Sequence, residues 1–428
     1  RRGILEHATG SGKTFTAMCA IRKELEEGHP VIILVPSIGL LDQWKEELNS
    51  TLTGLDIQYL LCGGSNSKWK NGTTLQSWTK SDIDKMRITI AVMDTAYSNE
   101  FLTKVSWSDN LFVVADEVHR MGSPSRRAFM STAKCGARLG LSATPRRYGD
   151  PIGTQAIIDF FGAIIQPPYT LKNAIEDGVL TRYFYHPYEV QLDEEEQAQW
   201  DDITKQIKAL YARMPLAEKQ VSMNNNRFKM LLLKRARITK EATKKIKIAK
   251  DIILNNYEEG QRWIVYCDNK KQLDKVVVEL QSAGISKVTK YYSDMPGDKK
   301  KTLEYFNIIG GIIVSIKCLD EGIDIPSTTH ALILASSKNP REFVQRRGRI
   351  LRRHYGKNYA SLYDTIVIPK NINSKVIHDT IVEGELARAI QFGDWAENKS
   401  CTAILKMIAQ ENKIDYNSLL IDGEEDDE

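Results

Sequence analysis

The chain has 428 residues, 42% hydrophobic and 27% charged, with a formal net charge of +4, which fits a soluble globular protein with room for two or three cores. No apolar run approaches the ~20 residues that a membrane-spanning helix needs. The six cysteines (19, 62, 135, 267, 318 and 401) form no C-x-x-C pair, which argues against a disulfide framework or zinc site and for reduced thiols in the cytoplasm.

In chain order, Gly3-Ile4-Leu5 reads as a buried strand, and Phe15, Met18, Cys19, Ile21 and Leu25 follow at helical spacing. Between them lies Ala8-Thr9-Gly10-Ser11-Gly12-Lys13-Thr14. Two glycines let the backbone fold around an anion with its N–H groups inward. Lys13 reaches β and γ phosphates, and the Thr14 hydroxyl suits Mg²⁺. His7 stands where the usual phosphate-loop pattern opens on glycine, so the match is to a shorter form. The loop begins so soon after Arg1 that a further N-terminal segment or domain is expected upstream.

Val31 to Val35 is a continuous apolar run suited to a parallel strand covered on both faces; Pro36-Ser37 end it, and Leu40, Leu41, Trp44 and Leu48 continue as a helix. Ile88 to Val92, Leu111 to Ala115 and Arg138 to Leu141 are further strands. Asp116 and Glu117 therefore sit at the C-terminal end of a strand, the edge where α/β sheets bind ligands. Asp116 suits Mg²⁺, and Glu117 suits the orientation and deprotonation of an attacking water. Ser142-Ala143-Thr144 follow another strand, with hydroxyls in reach of His119 or Asp116.

From 164 to 260 the strand–helix rhythm breaks. Tyr183 to Leu192 reads as one strand, and 196 to 256 is mostly helical in pattern. Residues 205 to 250 carry fourteen Lys/Arg against Glu218 and Glu241. A polyanion partner and a solvated helix face both fit this stripe. Alternation returns with strands at Ile264 to Cys267, Val288 to Tyr292, Ile312 to Ser315, Ala331 to Leu334 and Ala360 to Ile368. In Gln345 to Arg352, Arg349 and Arg352 share a helical face and can meet one phosphate as an arginine finger; a basic helix on a nucleic-acid backbone is the alternative. A helical tail follows from about 375, ending in the acidic run 424–428.

With these residues in place, the chain resembles the superfamily 2 helicases and translocases over 3 to about 368, in the family's motif order. The loop at 8 to 14 resembles motif I, Pro36 to Trp44 motif Ia, and Asp94-Thr95 the strand-contacting motif near it. Asp116 to His119 resembles motif II, Ser142 to Thr144 motif III, Trp263 to Asp268 motif IV, Ser315 to Pro326 motif V and Gln345 to Arg352 motif VI. The D-E-V-H form and Ala335 to Phe343 point to the XPB-like branch, which includes bacterial and phage DNA helicases.

The resemblance implies an α/β fold of two tandem RecA-like parallel-sheet domains closing on ATP. The expected domains are 1–163 (the first, ATP-binding and N-terminally truncated), 164–260 (a linker and basic helical segment), 261–370 (the second) and 371–428 (a helical tail). Thr9, Gly10, Ser11, Gly12, Lys13 and Thr14 would hold ATP, with Thr14 and Asp116 on Mg²⁺. Glu117, Gln345, Arg349 and Arg352 would act in hydrolysis, and Asp324 would contact the ribose or the interdomain network. His119, Ser142 and Thr144 would couple hydrolysis to movement; Ser37, Thr95, Ser315 and Lys317 would touch nucleic acid, mainly its phosphates. The family's adenine-recognising segment normally lies upstream of motif I, and no nuclease constellation is seen, so cutting would need further sequence or a protein partner. The expected activity is that of an ATP-dependent DNA helicase or duplex translocase in a bacterial or phage-infected cytoplasm. An RNA helicase, or a nucleotide-gated binding switch without motor activity, is the alternative.

Overall fold

The computed structural model describes residues 1–82, 84–147, 150–215, 225–316, 325–335, 348, 350–370 and 380–416. The chain divides into two compact units, the first built on Arg1–Leu180 and the second on Thr181–Lys338 with Arg349–Glu428. Among the described residues no helix is long and apolar enough to cross a membrane.

The first unit holds β1 (Arg2–Glu6), β2 (Val31–Val35), β3 (Ile57–Cys62), β4 (Met86–Val92), β5 (Ser108–Asp116) and β6 (Cys135–Ser142), all parallel, in the order β1-β6-β5-β2-β4-β3. Successive strand side chains point to opposite faces, and the apolar runs fill both. Leu5, Ile33, Val35, Ile90 and Val114 pack under α1 (Lys13–Glu26) and α2 (Ile38–Thr51), which bury Met18, Ile21 and Leu25, and Leu41, Trp44 and Leu48. Ile4, Ile32, Leu34, Val113 and Ala115 pack on the other face with Phe129 and with Ile157 and Phe160 of α3 (Pro151–Phe161). The edge strand β3 went unread in the sequence; its burial is mixed, with Leu60 and Cys62 enclosed and Gln58 exposed, where β2 is buried throughout.

The second unit repeats this topology. Its strands β7 (Arg182–Val190), β8 (Arg262–Cys267), β9 (Val288–Tyr291), β10 (Gly311–Ile316), β11 (His330–Ile333) and β12 (Tyr359–Val367) are again all parallel and run β7-β12-β11-β8-β10-β9, the first order with each number raised by six. Between β7 and β8 stand α4 (Glu194–Arg213), α5 (Asn226–Glu241) and α6 (Lys244–Asn256), and α7 (Lys270–Ser282) follows β8. Helices α4 and α5 close a small core of their own around Ile207, Met214, Phe228 and Leu231.

The tail helix α8 (Thr380–Asp394) and the short α9 (Ala403–Glu411) belong to this unit. Phe392 stacks on Tyr183 at 4.3 Å, and the Asn398 amide bonds both the N–H and the C=O of Tyr185 at 2.9 Å. The tail thus covers the exposed side of β7, an edge that would otherwise present unpaired backbone groups.

Candidate functional site

The strand register places the site. Leu141 of β6 pairs with Leu5 on one side and with Asp116 on the other, so β1, β6 and β5 end level at one sheet edge. The loop 8–14 leaves that edge two strands from Asp116-Glu117, about 10 Å in strand spacings. Gly10 (φ 83°) and Gly12 (φ 92°) take left-handed backbone, which side chains with a Cβ rarely adopt. Helix α1 opens directly after Gly12 with no side-chain cap and no acidic residue in its first turn, leaving its N–H groups and positive dipole end for an anion. The Lys13 ammonium is folded back on the loop, donating to the carbonyls of His7 (2.8 Å) and Ala8 (3.2 Å). Burial and Lys13 together push the His7 pKa down, so this imidazole stays neutral beside the cation. Ser11 Oγ donates to the Ala8 carbonyl at 2.6 Å, whereas the buried Thr9 hydroxyl has no partner among the described residues. Thr14 is half-buried as the second residue of α1.

Asp116 is held on both oxygens: Trp44 Nε1 donates to Oδ2 at 3.0 Å and the Glu117 N–H to Oδ1 at 2.9 Å. Glu117 sits in the left-handed region (φ 48°, ψ 50°), a conformation that costs a non-glycine residue on the order of 1 kcal/mol or more and collects at functional sites. His119 Nδ1 lies 3.1 Å from Ser142 Oγ and 3.4 Å from Glu117 Oε2. Ser142 Oγ also accepts from the Thr144 N–H at 3.1 Å, while the Thr144 hydroxyl is buried without a partner among the described residues. The structure thus joins Glu117, His119, Ser142 and Thr144 in one chain of contacts, and Arg147 adds a 2.6 Å bond from Nη1 to the His119 carbonyl.

Ser37 caps α2, accepting from the Leu40 N–H at 3.4 Å, and Thr95 follows β4 with its carbonyl taken by Ser98. Ser315 is enclosed in β10. Arg352 is half-buried, and its carbonyl accepts from Thr181 Oγ1 (3.3 Å) and Lys357 Nζ (3.0 Å). Lys317, Asp324, Gln345 and Arg349 lie outside the described residues.

The basic stripe divides. Arg235 is buried, its guanidinium 4.9 Å from the Trp200 ring, and Lys245 is buried with Nζ on the Leu334 carbonyl at 2.6 Å. Lys234 and Arg237, with Lys271 and Lys275 of α7, line a groove of about 390 Å³ among α4, α5 and α7, together with the carboxylates Glu196 and Glu241. Three contributors escaped the sequence reading. Trp44 was read as an apolar helix position and as the end of motif Ia, with no carboxylate partner expected, and neither Arg147 nor Lys357 falls in a recognised motif.

Residues 1–147 match the family described as type III restriction enzyme, res subunit, and residues 244–354 match the helicase conserved C-terminal domain. The chain is 26% identical over 372 residues to the DNA 3'-5' translocase XPB2 of Sulfurisphaera tokodaii, covering 82% of this chain and 75% of the relative. It is 26% identical over 392 residues to a probable helicase of African swine fever virus, covering 87% of this chain and 39% of the viral protein. In fold it is similar to the structure described as ATP-dependent Type ISP restriction-modification enzyme LlaBIII bound to DNA, with a TM-score of 0.60, 18% identity, and 92% of this chain against 29% of the other. The chain thus spans well under half of the viral relative and of that restriction enzyme. Carrying a phosphate loop, the D-E-V-H strand end and both matched regions on two parallel sheets of one topology, the chain belongs to the superfamily 2 helicases, in their XPB-like branch.

Proposed function

We propose that the chain is an ATP-dependent DNA helicase or double-stranded DNA translocase of the cytoplasm, coupling ATP hydrolysis to movement along nucleic acid. The observation that carries this reading is the level ending of β1, β6 and β5, which brings the anion-binding loop, Asp116-Glu117 and Ser142 to one edge. A relative named as a DNA translocase and a DNA-bound enzyme of similar fold support DNA over RNA.

In this reading the loop N–H groups and Lys13 bind the ATP phosphates, and the partnerless Thr9 hydroxyl gains an acceptor oxygen there. Thr14 and Asp116 offer the hard oxygen donors that Mg²⁺ prefers, so the donor set fits that ion. When bound, Mg²⁺ would offset charge on the phosphate oxygens. Glu117 orients the attacking water and takes its proton. His119 senses Glu117 and passes its position to Ser142 and Thr144. Arg349 and Arg352 are assigned as finger arginines, Gln345 as their motif neighbour and Asp324 as the ribose contact. Ser37, Thr95 and Lys317 are assigned to the nucleic-acid backbone, with the cations of the α5–α7 groove adding attraction; Ser315, expected there too, is fully enclosed in β10 and offers no surface to a polymer.

Steady-state ATP hydrolysis with no nucleic acid, single-stranded DNA, duplex DNA or structured RNA tests this, with Glu117→Gln as control. Stimulation by DNA that vanishes in the control is expected. Stimulation by RNA alone, or none by any polymer, would overturn the assignment.

A further inference from the structure

We infer that Lys357, outside every recognised motif, is a positioning residue for Arg352. The inference rests on the assignment of Arg352 to ATP hydrolysis and extends it to the backbone that presents this side chain.

Lys357 is 9% exposed, and its ammonium donates to the carbonyls of Pro326 (3.2 Å), Ile350 and Arg352 (3.0 Å). Among the described residues three carbonyl acceptors surround this ammonium, which has three N–H donors to offer. Thr181, 3% exposed, closes the other side: its N–H donates to the Leu351 carbonyl at 2.6 Å and its hydroxyl to that of Arg352 at 3.3 Å. Three consecutive carbonyls, 350 to 352, are thereby held by the nearby Lys357 ammonium and by the backbone N–H and hydroxyl of the sequence-distant Thr181.

Pro326 closes the motif V stretch, and Ile350 to Arg352 close motif VI. One ammonium thus ties the exits of both. The turn that delivers it is specific, with the Lys357 N–H on the His354 carbonyl at 3.0 Å and Gly356 at φ 77°. Fixing the carbonyls of 350 to 352 fixes where the Arg352 side chain leaves the backbone, and misplacing a catalytic group by ~1 Å can cost about a hundredfold in rate.

The test compares wild type, Lys357→Met, Thr181→Val, Arg352→Ala and the double variant Lys357→Met/Arg352→Ala in ATP hydrolysis and thermal unfolding. Lys357→Met is expected to lower kcat about tenfold or more with KM for ATP nearly unchanged, the mark of an interaction needed in the transition state. Thr181→Val is expected to lower kcat by a smaller factor, about threefold, since one neutral hydrogen bond is lost. The double variant should turn over no more slowly than Arg352→Ala alone, because residues acting as a unit are non-additive. Wild-type kcat in Lys357→Met, or an additive loss in the double variant, would overturn the inference. If Lys357→Met does not fold, a wild-type kcat in Thr181→Val overturns it instead. Wild-type turnover in Arg352→Ala would instead sink the assignment of Arg352 itself, a separate failure.

Discussion

The Trp44 indole donates to Asp116 Oδ2 across 3.0 Å, joining helix α2, whose cap is Ser37, to the carboxylate at the end of β5. The side chain is 1% exposed, so the bond is made away from competing water. Trp44→Phe keeps much of the packing and removes the donor, freeing the carboxylate to rotate. Loss of an orienting partner of this kind costs about 10- to 100-fold in metal affinity or activity. The expected result is an ATPase that needs more Mg²⁺ for half-maximal rate while unfolding at nearly the wild-type urea concentration. An unchanged Mg²⁺ dependence would show that Asp116 is oriented by the Glu117 N–H alone.

His119 connects two strand ends, contacting Glu117 after β5 and Ser142 at the end of β6. Ser142→Ala breaks that link and also removes the acceptor of the Thr144 N–H. Coupling free energies of 1–3 kcal/mol correspond to factors of about 5 to 150. The base pairs displaced per ATP hydrolysed are therefore expected to fall at least about fivefold, measured by strand displacement and phosphate release on the same duplex. An unchanged ratio would remove Ser142 from the coupling route.

Much of this was legible in the sequence because the signals were local. Five aliphatic residues at 31 to 35 announce a strand buried on both faces, and Gly10 and Gly12 announce left-handed turns at an anion site. Even the contact of Ser142 with His119 was foreseen among the options for its hydroxyl. What stayed hidden depends on distant partners. Trp44 looked like one more apolar position on α2, since nothing local shows that its N–H finds a carboxylate 72 residues away. Arg235 and Lys245 counted as surface charge in a basic run, yet one stacks on Trp200 and the other reaches a carbonyl beyond β11. Lys357 carries no motif, and only the fold shows the three carbonyls around it.

The groove among α4, α5 and α7 offers a direct measure of how much of the basic stripe meets DNA. Each phosphate contact releases counterions and contributes about −0.9 to the slope of log affinity against log salt on duplex DNA. Replacing Lys234 and Lys275 together by Ala should make that slope shallower by about 1 to 2 without changing sequence preference, read by fluorescence anisotropy from 50 to 200 mM salt. Substituting Arg235 should instead destabilise the α4–α5 pair, because its side chain is enclosed against Trp200. An unaltered slope in the lysine variant would mean that DNA passes elsewhere.

His330 carries a pH dependence whose sign follows from its surroundings. Its ring lies parallel to Trp263 at 4.6 Å, and burial, with help from His186 and Lys357, pushes its pKa down to about 4. His186, stacked on Tyr363 at 4.8 Å, is lowered by burial as well. In the unfolded chain an ordinary imidazole titrates near 6.5, so between about 4 and 6.5 the unfolded state binds the extra proton. Stability is therefore complete above about pH 6.5 and is lost as pH falls toward 4, by roughly 3 kcal/mol for His330 at 1.36 kcal/mol per pH unit. Urea midpoints for the second unit should drop between pH 7 and pH 5. In His330→Phe, which keeps the ring stack, the drop should be smaller. An equal drop in that variant would place the acid sensitivity in other groups, with His186→Phe the next substitution to separate them.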